Sequence, residues 1–344
     1  MIRNSCQLAF VIALGFYSLA TTKSCEGQEP EKLTIMTWNL EWFYDEHEGD
    51  NFSKLAKEKT APSRDDWNWH RDAIGESIRK SKPTILALQE IENRRVLWYL
   101  SRSMQGNHQL KYSELSYESE DHFTEQNVGI VFRDPVVAVS TQQFFQTPQQ
   151  RLDKQYFGVP KHLLATFEFP IGNGKTEQVT VMNLHLRSRP EGAELRRRQA
   201  RLIRLWISDL IRQKKNVIVL GDTNTEQRGS KAKQDTELQI LCGKDTPETD
   251  DDLIDLHWKL PPKERRTHLL PDREFDRILV SQSLLDDTPG EPDLIFESIS
   301  VMPELAIQGK RDTPEQHWDN YWSTSPDERD FSDHYPVQAT FVVQ

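Results

Sequence analysis

The stretch VIVLGDTN at residues 217–224 runs from four apolar residues directly into a glycine, an aspartate, a threonine and an asparagine. A short apolar run that ends at such a turn signal predicts a buried β-strand. Five other apolar runs carry polar side chains at one end in the same way. They are IMTW followed by Asn39, ILAL followed by Gln89 and Glu90, VTVMNL followed by His185, DRILV beginning at Asp276, and HYPVQATFVV, which begins at His334 and follows Asp333.

These polar residues are predicted to converge. In a mixed sheet the start of one strand lies beside the end of its antiparallel neighbour, so all six groups can meet at one edge of a sandwich. The carboxylates there are Glu90, Asp222, Asp276 and Asp333, the amides are Asn39 and Asn224, and the imidazoles are His185 and His334. Hard oxygen ligands without a thiolate favour Mg²⁺, Mn²⁺ or Ca²⁺ over Zn²⁺. Imidazoles beside such a cation suit the hydrolysis of a phosphate ester.

The elements between these strands predict an α/β sandwich with mixed sheets. A helix is expected from Ser63, spaced from Asp66 like a capping box, as far as Pro83. A second helix is expected over 194–212. Its predicted apolar face consists of Leu195, Leu202, Trp206 and Leu210.

Other segments predict strands and loops. The runs 128–132 and 136–139 are expected to be consecutive strands, and 163–169 with 178–184 a hairpin turning at Gly172-Asn173-Gly174. Two stretches, 225–262 and 284–330, are expected to be excursions from the core. Such long loops often choose substrates, and they can equally be inert decoration.

The N-terminus predicts an exported protein. Arg3 precedes a short apolar run from Leu8 to Ala20 that ends in small residues, the pattern of a secretory signal peptide over residues 1–20. An uncleaved membrane anchor is the alternative. Residues 21–31 are expected to be a polar tether and 32–344 a single domain, secreted or periplasmic. A disulfide between Cys25 and Cys242 is left open by the sequence.

Composition narrows the function classes. With 344 residues, 36% hydrophobic and 28% charged, the chain can bury a large core. Three cysteines without a CxxC pair exclude a disulfide scaffold and a thiolate zinc site. The net charge of -11 argues against a protein that holds nucleic acid mainly by its own positive field. It leaves room for an enzyme in which a bound cation meets the phosphate.

The order of the motifs resembles a known family. The motifs are TWN at 37–39, LQE at 88–90, NLHL at 183–186, GDTN at 221–224, FDRILV at 275–280 and SDHYPV at 332–337. In this order they resemble the endonuclease/exonuclease/phosphatase superfamily, the metal-dependent phosphoesterases typified by pancreatic-type deoxyribonuclease. The resemblance implies a four-layer αββα sandwich with two mixed β-sheets, an α/β (α+β) fold. It also implies a divalent cation, with Mg²⁺ expected and Mn²⁺ or Ca²⁺ as alternatives.

The resemblance further implies a role for each group. Glu90 would be the principal metal ligand, with Asn39 nearby and Asp333 assisting at the metal. Asp222, near the attacking water, and Asn224 would form the phosphate-binding centre. The remaining three implied catalytic residues are His185, which would donate hydrogen bonds to the phosphate, His334, as general base or phosphate ligand, and Asp276, which would orient His334.

Three more residues are candidates for substrate binding. Arg133 and Arg187 lie next to motif strands, and His268 precedes FDRILV. Some branches of the family carry a Tyr or Glu in the interval that corresponds to 112–127. Candidates for an equivalent here are Tyr117, Glu118 and His122.

The leading hypothesis is a secreted, divalent-metal-dependent phosphodiesterase, a nuclease-like monomer acting on nucleic acid, with no protein partner implied. The enzymatic alternatives are a phosphomonoesterase and a phospholipid, sphingomyelin or phosphoinositide phosphoesterase. A lipid substrate would use an exposed apolar loop, for which Trp318, Tyr321 and Trp322 are available, although we expect these rings to pack the loop onto the body. The alternative from another class is a secreted, non-catalytic binding module.

Overall fold

The structure is a computed structural model that describes residues 32–106, 111–119, 121–143, 152, 161–225 and 236–344. The predicted signal peptide, the predicted tether and Cys25 lie outside the described residues. Twelve strands in the described part of the chain form two six-stranded sheets. None of the helices described there is long and apolar enough to cross a membrane.

The first sheet is mixed. Its strands are β1 (Lys32–Phe43), β2 (Ile85–Ile91), β3 (Tyr112–Tyr117), β4 (Asn127–Arg133), β11 (Leu294–Val301) and β12 (Val337–Val343). The spatial order is β11-β12-β1-β2-β4-β3. β1 and β2 run parallel, and the other neighbouring pairs run antiparallel.

The second sheet repeats this plan. Its strands are β5 (Val137–Gln143), β6 (Leu163–Gly172), β7 (Lys175–His185), β8 (Asn216–Asp222), β9 (Leu253–Asp255) and β10 (Asp276–Ser281). The spatial order is β5-β6-β7-β8-β10-β9, with β7 and β8 parallel. β6 and β7 form the predicted hairpin. The predicted consecutive strands β4 and β5 exist, but they belong to different sheets.

Helices cover the outer faces of both sheets. They are α1 (Lys54–Lys59), α2 (Arg64–Ser81), α3 (Arg94–Gln105), α4 (Ala193–Arg212), α5 (Glu237–Leu241) and α6 (Pro314–Asp319). α2 and α3 pack on the first sheet, and α4 and α5 pack on the second. The four-layer αββα sandwich with two mixed sheets is therefore confirmed.

Strands buried on both faces explain the uninterrupted apolar runs. Successive side chains of a strand point to opposite faces. Ile35 and Ile218 thus lie in the core between the sheets, while their neighbours Met36 and Val219 pack beneath the helices.

The helix α2 begins as predicted. The Ser63 side chain accepts a hydrogen bond from the backbone N–H of Asp66, and the helix ends at Lys82, whose left-handed backbone precedes Pro83.

The predicted apolar face of α4 is wrong in part. Leu202 is buried, but Leu195, Trp206 and Leu210 are only half-buried, and the remaining buried residues are Arg196, Gln199, Ala200, Ile203, Ile207 and Ile211. Polar side chains occupy this face because they have partners there. The Arg196 Nε, for example, donates to Glu237 Oε1 at 2.6 Å. Hydrophobic spacing alone cannot reveal a buried polar residue whose partner is distant in sequence.

The two predicted excursions also need correction. Within 225–262, residues 226–235 lie outside the described residues, and the described part supplies α5 and the edge strand β9. The stretch 284–330 supplies β11, which is an edge strand of the first sheet, and the short helix α6. Both stretches therefore contribute strands and helices to the sandwich and are not purely loops.

Candidate active site

Strand register brings the predicted site residues to one edge of the sandwich. In the first sheet Asn39 lies opposite Gln89, which places Glu90 just beyond. The antiparallel neighbour β12 begins opposite the end of β1, so Asp333 and His334 arrive at the same edge. In the second sheet His185 lies opposite Asp222.

Asp276 completes the second sheet's contribution, since it lies opposite Asp222 on the antiparallel strand β10. The predicted convergence of all six strand ends therefore occurs.

The side-chain amide of Asn39 bridges the two sheets at this edge. The Asn39 Nδ2 donates to Asp222 Oδ2 at 3.0 Å and to Glu90 Oε1 at 3.2 Å. The His185 Nε2 lies 3.5 Å from the same Asp222 oxygen and 3.6 Å from Glu90 Oε1. A carboxylate from each sheet, an amide and an imidazole thus surround one small volume.

The backbone around Asp222 fixes its carboxylate. Gly221 has φ +136°, and a Cβ there would lie 2.0 Å from the carbonyl oxygen of Leu184. Only glycine permits this approach of β8 to β7. Beyond the strand, Asn224 donates from its backbone N–H to Asp222 Oδ1 at 2.7 Å and from its side-chain amide to Oδ2 at 2.8 Å.

Glu90 is held by backbone in an uncommon conformation. Glu41, Trp42 and Glu90 have φ of 45°, 52° and 58°, at the points where β1 and β2 lose their regular pairing. The Trp42 backbone N–H donates to Glu90 Oε2 at 3.0 Å. Left-handed conformations of non-glycine residues cost about 1–3 kcal/mol each and concentrate at functional sites.

The surroundings of His334 and His185 shift the pKa values of the two imidazoles in opposite directions. His334 Nδ1 lies 2.8 Å from Asp276 Oδ2. Burial alone would lower the pKa of His334, but Asp276 and Asp222 outweigh it and raise that pKa well above the usual value. Burial, together with the charge of Lys161, lowers the pKa of His185 well below its usual value. The surroundings therefore favour the protonated form of His334 and the neutral form of His185.

The surroundings of Glu90 and Asp222 disfavour the ionised form of each carboxylate. Burial, with a contribution from the charge of Asp333, raises the pKa of Glu90 to about 7. Burial also raises the pKa of Asp222 to about 6, with Asp276 adding to the rise. Glu90, His185 and Asp222 each offer a ligand atom within 4.8 Å of the others. Crowded, buried oxygen donors of this kind fit a hard divalent cation, which would relieve their repulsion.

Asp333 is bound by residues that precede it in the chain, Trp318 and His268. Its Oδ2 accepts hydrogen bonds from Trp318 Nε1 at 3.0 Å and pairs with His268 Nε2 at 3.2 Å. Its Oδ1 lies 3.8 Å from His334 Nε2 and has no hydrogen-bond partner among the described residues. Asp333 thus belongs to the histidine side of the site, and its expected assistance at the metal stays a prediction.

The three substrate-binding candidates have different locations. His268 forms a backbone bridge with His334, and the centroids of the two rings lie 4.7 Å apart. Arg187 is exposed at the rim of a cavity of about 60 Å³ that also contacts His185. Arg133 lies at the far end of β4, opposite Tyr112, and donates to the backbone carbonyls of Lys82 and Pro83. Its predicted contact with substrate does not fit this position.

Sequence reasoning missed the ion pairs that support the site. The Lys161 Nζ lies 2.5 Å from Asp121 Oδ2, and its charge acts on His185. The sequence candidates within 112–127 have other locations. The Tyr117 hydroxyl is hydrogen-bonded to Thr141, and Glu118 and His122 line a separate cavity together with Asp121. Nothing in the local sequence marks Lys161, because its partner is 40 positions away along the chain.

A second network of ionisable side chains, also not predicted from the sequence, lies at the rim of the candidate active site. The His317 Nε2 lies 2.5 Å from Glu41 Oε2, and its Nδ1 lies 3.0 Å from Asp312 Oδ2. The same Glu41 oxygen accepts the backbone N–H of Asp333 at 3.0 Å. This network links α6 to both β1 and the segment that carries His334.

Solved structures share the fold. An endonuclease/exonuclease/phosphatase family protein from Bacteroides thetaiotaomicron aligns with TM-score 0.57 and 18% identity over 92% of this chain and 100% of its own. TDP2 of D. rerio, complexed with single-strand DNA product, aligns with TM-score 0.53 and 18% identity over 90% and 98%. The human Nocturnin catalytic domain with bound sulfate aligns with TM-score 0.54 and 15% identity over 92% and 95%.

Sequence comparison gives the family. No curated protein shows a significant match. The model of the Endonuclease/Exonuclease/phosphatase family, however, matches residues 36–334, which include five of the six motifs, the first three residues of the sixth, and all the residues of the site that they form. The chain therefore belongs to the endonuclease/exonuclease/phosphatase family.

Proposed function

We propose that this protein is a divalent-metal-dependent phosphodiesterase of the nuclease-like kind. The observation that carries the proposal is the position of His334, whose Nδ1 lies 2.8 Å from Asp276 Oδ2 and whose Nε2 lies 3.9 Å from Asp222 Oδ2. A positive donor beside a buried carboxylate suits a reaction in which water attacks an anionic phosphate.

Glu90 and Asn39 are the residues that would hold the metal ion, with Asp222 and His185 beside them. When bound, a hard cation there supplies polarisation of the phosphoryl oxygen and charge neutralisation. Burial raises the pKa of Asp222, which makes its carboxylate a better acceptor for a proton from water. Asn39 and Asn224 fix the direction of its lone pairs.

His334 donates a hydrogen bond to the phosphate. Of the two roles that the family resemblance implies for it, general base or phosphate ligand, the high pKa of His334 favours the ligand, because an imidazolium has no free lone pair. Asp276 keeps the ring oriented through Nδ1. Neutral His185 can still donate one hydrogen bond as charge builds on the phosphate oxygens.

Nucleic acid is the substrate class we propose. The similar fold of D. rerio TDP2 is seen in complex with single-strand DNA product, which supports a nucleotide phosphodiester. The net charge of -11 opposes tight binding of long duplexes and leaves recognition to the site itself. We also propose that the enzyme is secreted or periplasmic, on the strength of the signal-peptide pattern at residues 1–20.

The test uses bis(p-nitrophenyl) phosphate and supercoiled plasmid, each with Mg²⁺, Mn²⁺ or EDTA. Glu90→Gln and His334→Ala are compared with Glu297→Gln, a surface residue paired with Lys32. Metal-dependent cleavage of bis(p-nitrophenyl) phosphate, lost in the first two variants and kept in the third, is the expected result, and nicking of the plasmid would extend the substrate to duplex DNA. Diester cleavage without nicking would restrict the substrate to small or single-stranded esters. Release of phosphate from monoesters alone would contradict the proposal.

A further inference from the structure

A cavity of about 230 Å³ with aromatic walls opens beside the candidate active site. Its lining includes Trp42, Trp318, Tyr321, Trp322, Lys59 and Asn320. Most of these residues come from the stretch 284–330, whose role the sequence left open. The volume is below the range of about 300–1,000 Å³ that is typical for drug-sized ligands, so it suits one ring system.

Two contacts join this aromatic cavity directly to the reacting groups. The Trp318 Nε1 donates to Asp333 Oδ2 at 3.0 Å, and Asp333 is the neighbour of His334 in sequence. On the other wall, the backbone N–H of Trp42 donates to Glu90 Oε2 at 3.0 Å. A phosphate bound between Glu90 and His334 would therefore place the group attached to it at the mouth of the cavity.

The aromatic rings of the cavity differ in how much of their surface is packed against the rest of the protein. The ring centroids of Tyr321 and Trp322 lie 5.9 Å and 6.0 Å from that of His70 on α2, so both rings pack on the body as expected. Trp318 stays 42% exposed, although its indole nitrogen is bound to Asp333. Its position is fixed by the adjacent His317, which is paired with Glu41 and Asp312. Trp318 is thus a rigid, open ring face.

The chemistry of the lining decides between ligands. An acyl chain would meet the ammonium of Lys59 and the carboxylates of Glu58 and Asp319. A quaternary ammonium group would compete with cations that already lie over the rings, such as Lys59 at 5.4 Å from the Trp42 centroid. A neutral, planar heterocycle can stack on an indole and use both donors and acceptors at its edge.

We propose that the aromatic cavity binds the base of a nucleotide whose phosphate lies at the active site, stacked on Trp318. The proposal rests on the phosphodiesterase function proposed above and narrows its substrate to nucleotide esters and single-stranded ends. A base in a duplex is paired and stacked, so its face is not free to enter the cavity. This cavity and the negative net charge therefore favour the same substrates.

The first test compares two esters with the same leaving group, thymidine 5′-(p-nitrophenyl phosphate) and methyl p-nitrophenyl phosphate. The ratio of their kcat/KM values measures the contribution of the base. We expect Trp318→Leu to lower this ratio about tenfold, as is typical for loss of one base–aromatic stack, and Trp318→Phe to keep most of it. Trp98→Leu is the matched control, because Trp98 is 41% exposed on α3 and does not line the cavity.

Because Trp318 also binds Asp333, a structural role must be separated from stacking. A structural role would lower kcat/KM for both esters equally and leave the ratio unchanged, which would overturn the proposal. A wild-type ratio near one would overturn it as well, while leaving the phosphodiesterase function intact.

The second test is independent of turnover. Binding of thymidine 5′-monophosphate, inorganic phosphate and phosphocholine is measured with EDTA present by equilibrium dialysis. Tighter binding of the nucleotide than of inorganic phosphate, lost in Trp318→Leu, supports the base site even if neither ester is hydrolysed. Equal binding of nucleotide and inorganic phosphate, or preference for phosphocholine, would rule the base site out, the latter in favour of a lipid headgroup.

Discussion

Nδ1 of His334 lies 2.8 Å from Oδ2 of Asp276, and this contact joins the two sheets of the sandwich. His334 precedes β12 of the first sheet, whereas Asp276 is the first residue of β10 in the second. Because the carboxylate occupies Nδ1, the other ring nitrogen faces Asp222. The fold itself therefore positions the imidazolium that we assign to the phosphate.

Asp276→Asn tests this contact. The amide keeps the shape of the side chain but removes the charge that holds the pKa of His334 high. We expect kcat for bis(p-nitrophenyl) phosphate to fall about 100-fold or more, by analogy with other oriented histidines. Asp287→Asn, in an exposed loop, should leave kcat unchanged. Full activity in Asp276→Asn would show that this carboxylate does not position the ring.

Metal binding should depend on pH. The pKa of Glu90 is raised by burial to about 7, so below neutral pH a metal ion must displace a proton from it. We expect the apparent affinity for Mg²⁺ to rise by up to about tenfold per pH unit up to pH 7 and to level off above it. Calorimetric titrations between pH 5.5 and 8.5, with Glu90→Gln alongside, measure this slope. An affinity independent of pH would mean that Glu90 is not a ligand.

Gly221→Ala should disturb the junction of β7 and β8. An added Cβ would lie 2.0 Å from the carbonyl oxygen of Leu184, so the strands would have to separate next to Asp222. We expect a loss of more than about 2 kcal/mol in the free energy of unfolding, together with loss of activity. Gly290→Ala is the matched control, since Gly290 also has positive φ but no atom within 4 Å of the new Cβ. Equal effects of the two substitutions would show that backbone strain alone, and not the close approach, is responsible.

The His317 network makes a pH-dependent contribution to stability. Burial lowers the pKa of His317, but the carboxylates of Glu41 and Asp312 raise it more, to about 11. Its contribution to the free energy of unfolding is therefore complete below about pH 6.5, where the unfolded chain is also protonated. The contribution is lost as pH rises toward 11, at a slope of up to about 1.4 kcal/mol per pH unit.

His317→Gln should remove that slope and cost about 3–5 kcal/mol at pH 6, because buried Asp312 and partly buried Glu41 lose their partner. Denaturant unfolding at several pH values, with the exposed His122→Gln as control, measures both effects. If the stability difference between wild type and His317→Gln does not change from pH 6 to pH 10, the network carries no excess proton.

The sandwich was predictable because its strands are apolar on both faces and end in polar residues. The run 217–220 and the residues after it have the same arrangement in sequence and in structure. Strand register then brings the polar ends together, because the parallel strands β7 and β8 place His185 and Asp222 opposite each other. The predicted substrate contact of Arg133 is wrong because of strand direction. β4 runs antiparallel to β2, so Arg133 lies at the end of β4 that is far from the site, and the sequence alone does not show which end of a strand faces the site.

The supporting residues could not be predicted in the same way. The Lys161–Asp121 and His317–Glu41 contacts join segments that are distant in sequence, and no local spacing marks them. The aromatic cavity is a similar case. Composition showed that Trp318 was available, but only the structure shows that it remains exposed while Trp322 packs beneath Arg329.

The most direct test of the account is the hydrolysis of bis(p-nitrophenyl) phosphate in ¹⁸O-labelled water, with Mg²⁺ present, by the wild-type protein and by Glu90→Gln. The account predicts that the wild type transfers one labelled oxygen to the product phosphate monoester. Glu90→Gln, or the wild type in EDTA, should give no product above background. Product without label in its phosphate, or an unchanged rate in Glu90→Gln, would contradict attack of water on phosphorus at this site.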